Sequence, residues 1–218
     1  MSFKVVESLS EQIATHLASK IIRGEIKPGE RIQELRIAGE LDVSRGSVRE
    51  ALLILERRHL VDIIPRRGAV VTEITRSHVE NLYEVYGELL ELLAVKVTEN
   101  WSGADLDPLI KKFEVMRAAK IGGEHLERIF ELGFEIMEQA YSIAKNVYLM
   151  EVLINFKPVV QRTYYLALKS KGGDFQDNVA FFEGIMESVV TRNKEKSAQL
   201  VRSYVDTQKL EVLKTLDD

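Results

Sequence analysis

The 218-residue chain contains no cysteine, which excludes disulfides, thiolate metal sites and cysteine nucleophiles. No apolar run approaches the roughly 18 residues of a membrane span. Met1-Ser2-Phe3-Lys4 lacks the apolar stretch of a secretory signal, so a cytoplasmic location without membrane contact is expected. Histidines are scarce: His16, His59, His78 and His125 share no spacing, which argues for surface or capping roles over catalysis. Glu56-Arg57-Arg58-His59 is formally a Glu-x-x-His, but a helical two-metal site needs a second such motif, and none is present. There is no glycine-rich phosphate loop after a strand and no nucleophile elbow. Glu131, Glu135 and Gln139 read as a solvated helix face, not as an acid–base pair. No enzyme is expected.

Positive charge is also short overall, with a net charge of −4, but it is unevenly spread. Residues 1–75 carry 12 Lys/Arg against 11 Asp/Glu, and residues 76–218 carry 18 against 23. Between Ser44 and Arg67 lie Arg45, Arg49, Arg57, Arg58, Arg66 and Arg67, opposed only by Glu50, Glu56 and Asp62. A small N-terminal part therefore presents a basic surface, while the remainder repels a polyanion. This asymmetry implies two jobs on one chain, and 45% hydrophobic residues are enough to bury a core for each.

The most informative stretch is Val43 to Leu55. Val48, Ala51, Leu52 and Leu55 fall at i, i+3, i+4 and i+7, an apolar stripe for packing, and Ser44 is placed to cap the first turn. Arg45, Ser47 and Arg49 are left pointing outward. Arginines and a hydroxyl at the positive end of a helix suit phosphates and guanine edges. Upstream, Ile13, Leu17, Ile21 and Ile22 mark a helix over Ser8–Arg23, and Ile37, Ala38 and Leu41 a short one over Gln33–Leu41. Two helices joined tightly through Asp42-Val43 form a helix-turn-helix. Downstream, Val61 and Ile63, then Val70 and Val71, are strand formers flanking Pro65-Arg66-Arg67-Gly68, a hairpin with a basic tip. Such a tip is either a plain surface hairpin or a wing reaching a DNA backbone or minor groove.

Gly24-Glu25-Ile26-Lys27-Pro28-Gly29-Glu30-Arg31, Val43 through Leu52, and Pro65-Arg66-Arg67-Gly68-Ala69-Val70-Val71 together resemble the winged-helix domain of GntR transcription regulators. The resemblance implies a homodimer on a short inverted-repeat operator of double-stranded DNA. It places the DNA-binding residues at Arg36, Ser44, Arg45, Gly46, Ser47, Arg49, Arg66, Arg67 and Gly68. Two departures stand out. Gly46-Ser47 replaces a common Thr-Pro, which bears on base preference, and His59 replaces a common Gly, so a different cap is expected at that helix end.

Beyond Ile74–Arg76 the chain reads as helical throughout. Val79, Leu82, Val85 (or Tyr86), Leu89, Leu90, Leu93 and Val97 trace a helix to about Trp101, which Ser102-Gly103 breaks. Further helices are expected near Leu106–Lys120, Glu124–Ala144, Val147–Lys169, Gln176–Thr191 and Lys194–Leu216, divided by Gly122-Gly123, Lys145-Asn146, Gly172-Gly173 and Arg192-Asn193. The fold class is thus mainly α: a winged helix-turn-helix with a small hairpin over residues 1–75, then an antiparallel bundle of about six helices over residues 76–218.

This order resembles the FadR branch of the family, whose C-terminal FCD-type domain binds an effector and dimerises. Most of its members hold a metal with an Asp and three His. Aligned by residue type, those places fall here on Gly133, Met137, Phe182 and Tyr204, so no metal cofactor is expected. An Arg common in the first bundle helix is replaced by Gly87. Val201-Arg202-Ser203-Tyr204 and Asn146-Val147-Tyr148, with Arg162 downstream, resemble the fatty-acid-responsive members, whose effector is an acyl-coenzyme A. The effector-binding candidates are Met137, Arg162, Tyr164, Tyr165, Phe182, Arg202 and Tyr204. Met137 and Phe182 equally suit a plain helical core. The expected function is a repressor with an apolar, acyl-coenzyme A-like or fatty-acid-like effector. Two alternatives stand beside it: a small metabolite acid as effector, or a helical enzyme or scaffold whose N-terminal domain contacts protein.

Overall fold

A computed structural model of the chain describes residues 7–121, 126–171 and 176–216. It comprises two compact units. The first runs to Ile74 and includes Asn155–Thr163; the second comprises Thr75–Ile154 and the chain from Tyr164 onward.

The first unit contains α1 (Leu9–Ile22), β1 (Arg31–Ile32), α2 (Glu34–Leu41), α3 (Arg45–Arg57), β2 (Val61–Ile64) and β3 (Gly68–Val71). Helix starts follow the capping chemistry: the Ser8 hydroxyl accepts from the Glu11 amide at 3.2 Å, and the Ser44 hydroxyl from the Ser47 amide at 3.0 Å. The expected stripe on α3 is the core, with Val48, Ala51, Leu52 and Leu55 all buried against Leu17, Ile21 and Leu60. Burying each large apolar side chain stabilises the fold by about 1.5–3 kcal/mol. Strands β2 and β3 form the expected hairpin, pairing Val61 with Val71 and Ile64 with Gly68. The sheet has a third strand, in order β1-β3-β2, with Arg31 opposite Val70. At two residues, β1 is too short to show alternation in the sequence. Gly29, at φ +74°, turns the chain into it, and the Gly29 amide donates to the Val71 carbonyl at 2.9 Å.

The end of α3 differs from expectation. His59 adopts φ +56°, its amide donates to the Glu56 carbonyl and the Leu60 amide to that of Leu55. This is the Schellman cap that a glycine would make. The left-handed conformation costs a non-glycine residue about 1–2 kcal/mol, offset in part by the edge-on contact of the His59 ring with Phe156 at 5.4 Å.

The second unit contains α4 (Arg76–Asn100), a 3₁₀ turn (Gly103–Leu106), α5 (Asp107–Ile121), α6 (Leu126–Ala144), the ends of α7 (Val147–Lys171), α8 (Gln176–Val190) and α9 (Lys194–Lys214). These follow the expected helices closely; the proposed breaks at Gly122-Gly123 and Gly172-Gly173, and His125, lie outside the described residues. Pro158 sits inside α7 without ending it, in the segment that belongs to the first unit. Helix α4 buries Tyr83, Tyr86, Leu90, Leu93 and Val97, and its long contact with α9 is close. A Cβ on Gly87 would lie 3.2 Å from Val205 Cγ1. Where α4 ends, Arg192 donates to the carbonyls of Thr98, Glu99 and Trp101 and stacks over the Trp101 ring at 4.4 Å.

Candidate functional site

The basic surface of the first unit is built on two tips. At the start of α3, Ser44 is spent on capping: its hydroxyl accepts the Ser47 amide and also meets the Ser47 hydroxyl at 2.9 Å. Gly46 leaves the backbone there bare, the nearest atom to an added Cβ being Ser44 Oγ at 3.6 Å. Arg45 is exposed, yet its Nε donates to Glu34 Oε2 on α2 at 2.7 Å. Arg36 pairs with Glu40 at 3.7 Å and reaches Glu30 at 4.0 Å. Arg49, by contrast, is exposed and makes no hydrogen bond or ion pair among the described residues.

The second tip is the β2–β3 turn, closed by the Arg67 amide on the Ile64 carbonyl at 3.1 Å. Arg66 and Gly68 take φ +64° and +83°, which turns the exposed Arg66 and Arg67 outward without partners among the described residues. Guanidiniums that are exposed and unpaired can bind phosphate without first breaking an internal contact. Arg58 is not available in this way, because its Nη2 donates to Glu11 Oε2 at 2.8 Å.

In the second unit a cavity of about 120 Å³ lies among α4, α5, α6, α7, α8 and α9. Gly133, Met137, Phe182 and Tyr204 all line it, as does Tyr164. The four places that the family resemblance sets against an Asp and three His thus share one cavity, and their side chains offer no divalent-metal ligand set. Among the described residues no three His, Cys, Asp or Glu side chains come together. Gly133 makes room for a ring: its Cβ would stand 3.4 Å from the edge of Phe182.

Among the described lining residues, the side chains that carry a hydroxyl are Tyr86, Tyr164 and Tyr204. Tyr164 donates to Tyr204 at 3.3 Å, and Tyr86 points its hydroxyl at Met137 Sδ at 3.5 Å. Burial raises all three pKa values, that of Tyr204 to about 12, so every hydroxyl stays neutral. Tyr204 stacks on Phe181 at 4.0 Å with the rings 11° apart, and Phe130 and Phe134 meet Tyr164 edge-on at 4.5 and 5.9 Å.

Three of the expected effector residues stand elsewhere. Arg202 is exposed and forms a bidentate pair with Glu91, and Tyr165 donates to Glu127 Oε1 at 2.7 Å. Arg162 is buried in the first unit, donating from Nη1 to Thr72 Oγ1 and from Nη2 to the Thr72 carbonyl, each at 2.8 Å. Burial lowers its pKa to about 10, partly opposed by Glu73, and it stays charged at neutral pH. All three were marked by their chemistry, but each points off the helix face that lines the cavity. Sequence reasoning missed Phe181 and left Tyr86 interchangeable with Val85. Tyr86 could have been chosen from the stripe it shares with Leu90, Leu93 and Val97.

Comparison with known proteins accounts for both units. Residues 9–71 match the model of bacterial regulatory proteins of the gntR family, and residues 81–207 that of the FCD domain. The chain is 27% identical over 195 residues to the HTH-type transcriptional regulator YdhC of Bacillus subtilis, covering 88% of this chain and 86% of that one. It is 28% identical over 207 residues to the gluconate operon transcriptional repressor of the same organism, covering 91% and 83%. Among solved structures, E. coli McbR/YncC superposes with a TM-score of 0.81 at 19% identity, over 98% of this chain and all of that one. A GntR regulator from Rhodococcus sp. RHA1 gives 0.72 at 21% identity, over 94% and 97%. No described helix is long and apolar enough to cross a membrane. A winged helix that matches the gntR model, joined in one chain to a helical unit that matches the FCD domain, makes this protein a member of the GntR family of DNA-binding transcription regulators.

Proposed function

We propose that the chain is a ligand-controlled repressor that binds an inverted-repeat operator as a homodimer. Arg45, Gly46, Ser47 and Arg49 enter the major groove, and Arg66, Arg67 and Gly68 follow the backbone or the minor groove. Arg36 and Ser44 support that surface through α2 and the α3 cap. The single observation that carries the reading is the exposure of Arg49, Arg66 and Arg67 without partners among the described residues. Repression is supported by the likeness to the gluconate operon repressor. An apolar effector is supported by the cavity's lining, which also offers nothing to a metal. An acyl chain end suits such a lining, whereas the phosphates of an attached coenzyme A need cations that it lacks.

A mobility-shift titration on the chain's own upstream region, at two salt concentrations, tests the DNA reading. Arg45→Ala is expected to cost about 1–3 kcal/mol of binding if the side chain leaves Glu34 to pair with a guanine. Binding that is weak, insensitive to salt and unchanged in this variant overturns the reading.

A further inference from the structure

We infer that the bundle cavity takes a compact, uncharged aromatic molecule bearing a hydrogen-bond acceptor, which the Tyr204 hydroxyl meets. The inference rests on the reading of the helical unit as the effector domain and names the chemical class it admits.

Charge is excluded first. Among the described residues no Lys, Arg, His, Asp or Glu lines the cavity, and the two arginines that would have gripped a carboxylate are spent on Glu91 and Thr72. Moving a carboxylate from water into such a lining, with no cation to meet it, costs several kcal/mol. A metabolite acid is therefore refused in its ionised form.

The hydroxyls then set the polarity of the ligand. Tyr164 and Tyr204 share one hydrogen bond between two O–H groups, so one proton is left without an acceptor whichever way the pair is oriented. As the bond is directed, that proton belongs to Tyr204. Tyr86 donates only to a thioether, a weak acceptor. Among the described residues the lining side chains thus offer underused donors and, as oxygen acceptors, only phenol hydroxyls. A ligand bringing a carbonyl or ring nitrogen takes up the unspent Tyr204 proton; one bringing only an N–H or O–H meets a phenol oxygen and leaves that proton unspent.

Shape supplies the last restriction. The Phe181–Tyr204 stack and the edge-on Phe130 and Phe134 wall the space with rings, and Met137 and Met186 add polarisable sulfur. Both arrangements favour a planar aromatic guest. The volume of about 120 Å³ is somewhat below the roughly 150 Å³ of an engineered apolar cavity that holds benzene. That volume admits no more than one ring with a small substituent, and most of a long-chain acyl thioester would lie outside it.

Calorimetric titration of the full chain with acetophenone, toluene, indole, benzoate and octanoyl-coenzyme A tests this. Acetophenone is expected to bind roughly three- to tenfold more tightly than toluene or indole, the yield of one hydrogen bond, with benzoate and the thioester weaker than both. Tyr204→Phe should erase the advantage of acetophenone over toluene while leaving toluene binding intact. Tyr164→Phe, which keeps the Tyr204 proton, should preserve it. Tighter binding of benzoate or the thioester overturns the inference, as does an advantage unchanged in Tyr204→Phe or absent in the parent chain. The operator mobility shift is scored separately: acetophenone that binds as described but leaves DNA affinity unaltered defeats the effector reading, not the ligand class.

Discussion

In the first unit Arg49, Arg66 and Arg67 hold charge in water with no intrachain hydrogen bond or ion pair among the described residues, whereas in the second Tyr86, Tyr164 and Tyr204 hold neutral hydroxyls out of water. Leaving a hydrated guanidinium unpaired costs the fold almost nothing, so a basic surface can wait for its polyanion. A buried donor left without an acceptor costs about 1–3 kcal/mol, so a cavity can keep only a few, and none of them charged. On the proposed reading the same chain recognises one partner by charge and admits another by its lack of charge.

The largest expected effect breaks the first half of this contrast. The double variant Arg49→Ala, Arg67→Ala should lose about 2–6 kcal/mol of operator affinity and flatten the dependence on salt, with an unchanged unfolding midpoint. A drop in stability would show that these side chains serve the fold instead. Arg162 supplies the opposite case, an arginine of the first unit that is buried and satisfied. Arg162→Leu removes both bonds to Thr72, and urea denaturation should show a loss of about 1.5–3 kcal/mol.

Smaller effects sharpen the second half. Tyr141 is buried with a hydroxyl that has no hydrogen-bond partner among the described residues, so Tyr141→Phe should leave stability unchanged or raise it by up to about 1 kcal/mol. At the surface of α5 and α6, hydrogen bonds from Lys112 and then Arg128 hold the Glu135 carboxyl below its usual value of 4.5. The unfolded chain takes up that proton first. The stability these pairs give is therefore complete above about pH 4.5 and fades as pH falls through the lower folded value. With the side chain one-third exposed, it amounts to less than about 1 kcal/mol, measurable as the acid dependence of the midpoint in Glu135→Gln against the parent.

Helices were legible because their apolar spacing is also their packing. The stripe Val48, Ala51, Leu52, Leu55 is where the residues said it would be, whereas on α4 Val79, Leu90, Leu93 and Val97 are buried as expected, Leu82 and Leu89 are only partly so, Val85 is exposed, and the buried Tyr83 was not expected. Strand β1 was not legible, since two residues carry no period, and His59 concealed a glycine-like turn. In the cavity, Gly133, Met137, Phe182 and Tyr204 were brought together by family positions, which encode convergence across helices that periodicity cannot, and Tyr164 was chosen only as an aromatic residue. Arg162, Tyr165 and Arg202 misled for the complementary reason. A polar side chain advertises chemistry, but its direction is decided by whichever of Thr72, Glu127 or Glu91 lies nearest.

The tight seam at Gly87 limits how this protein could be re-tooled. A methyl there would stand 3.2 Å from Val205 Cγ1 on α9, the helix that carries Tyr204. An arginine in place of Gly87 would have to displace the Val205 side chain before its guanidinium met any carboxylate. Placing a cation on this face of α4 is therefore expected to need a smaller residue at position 205 beside it.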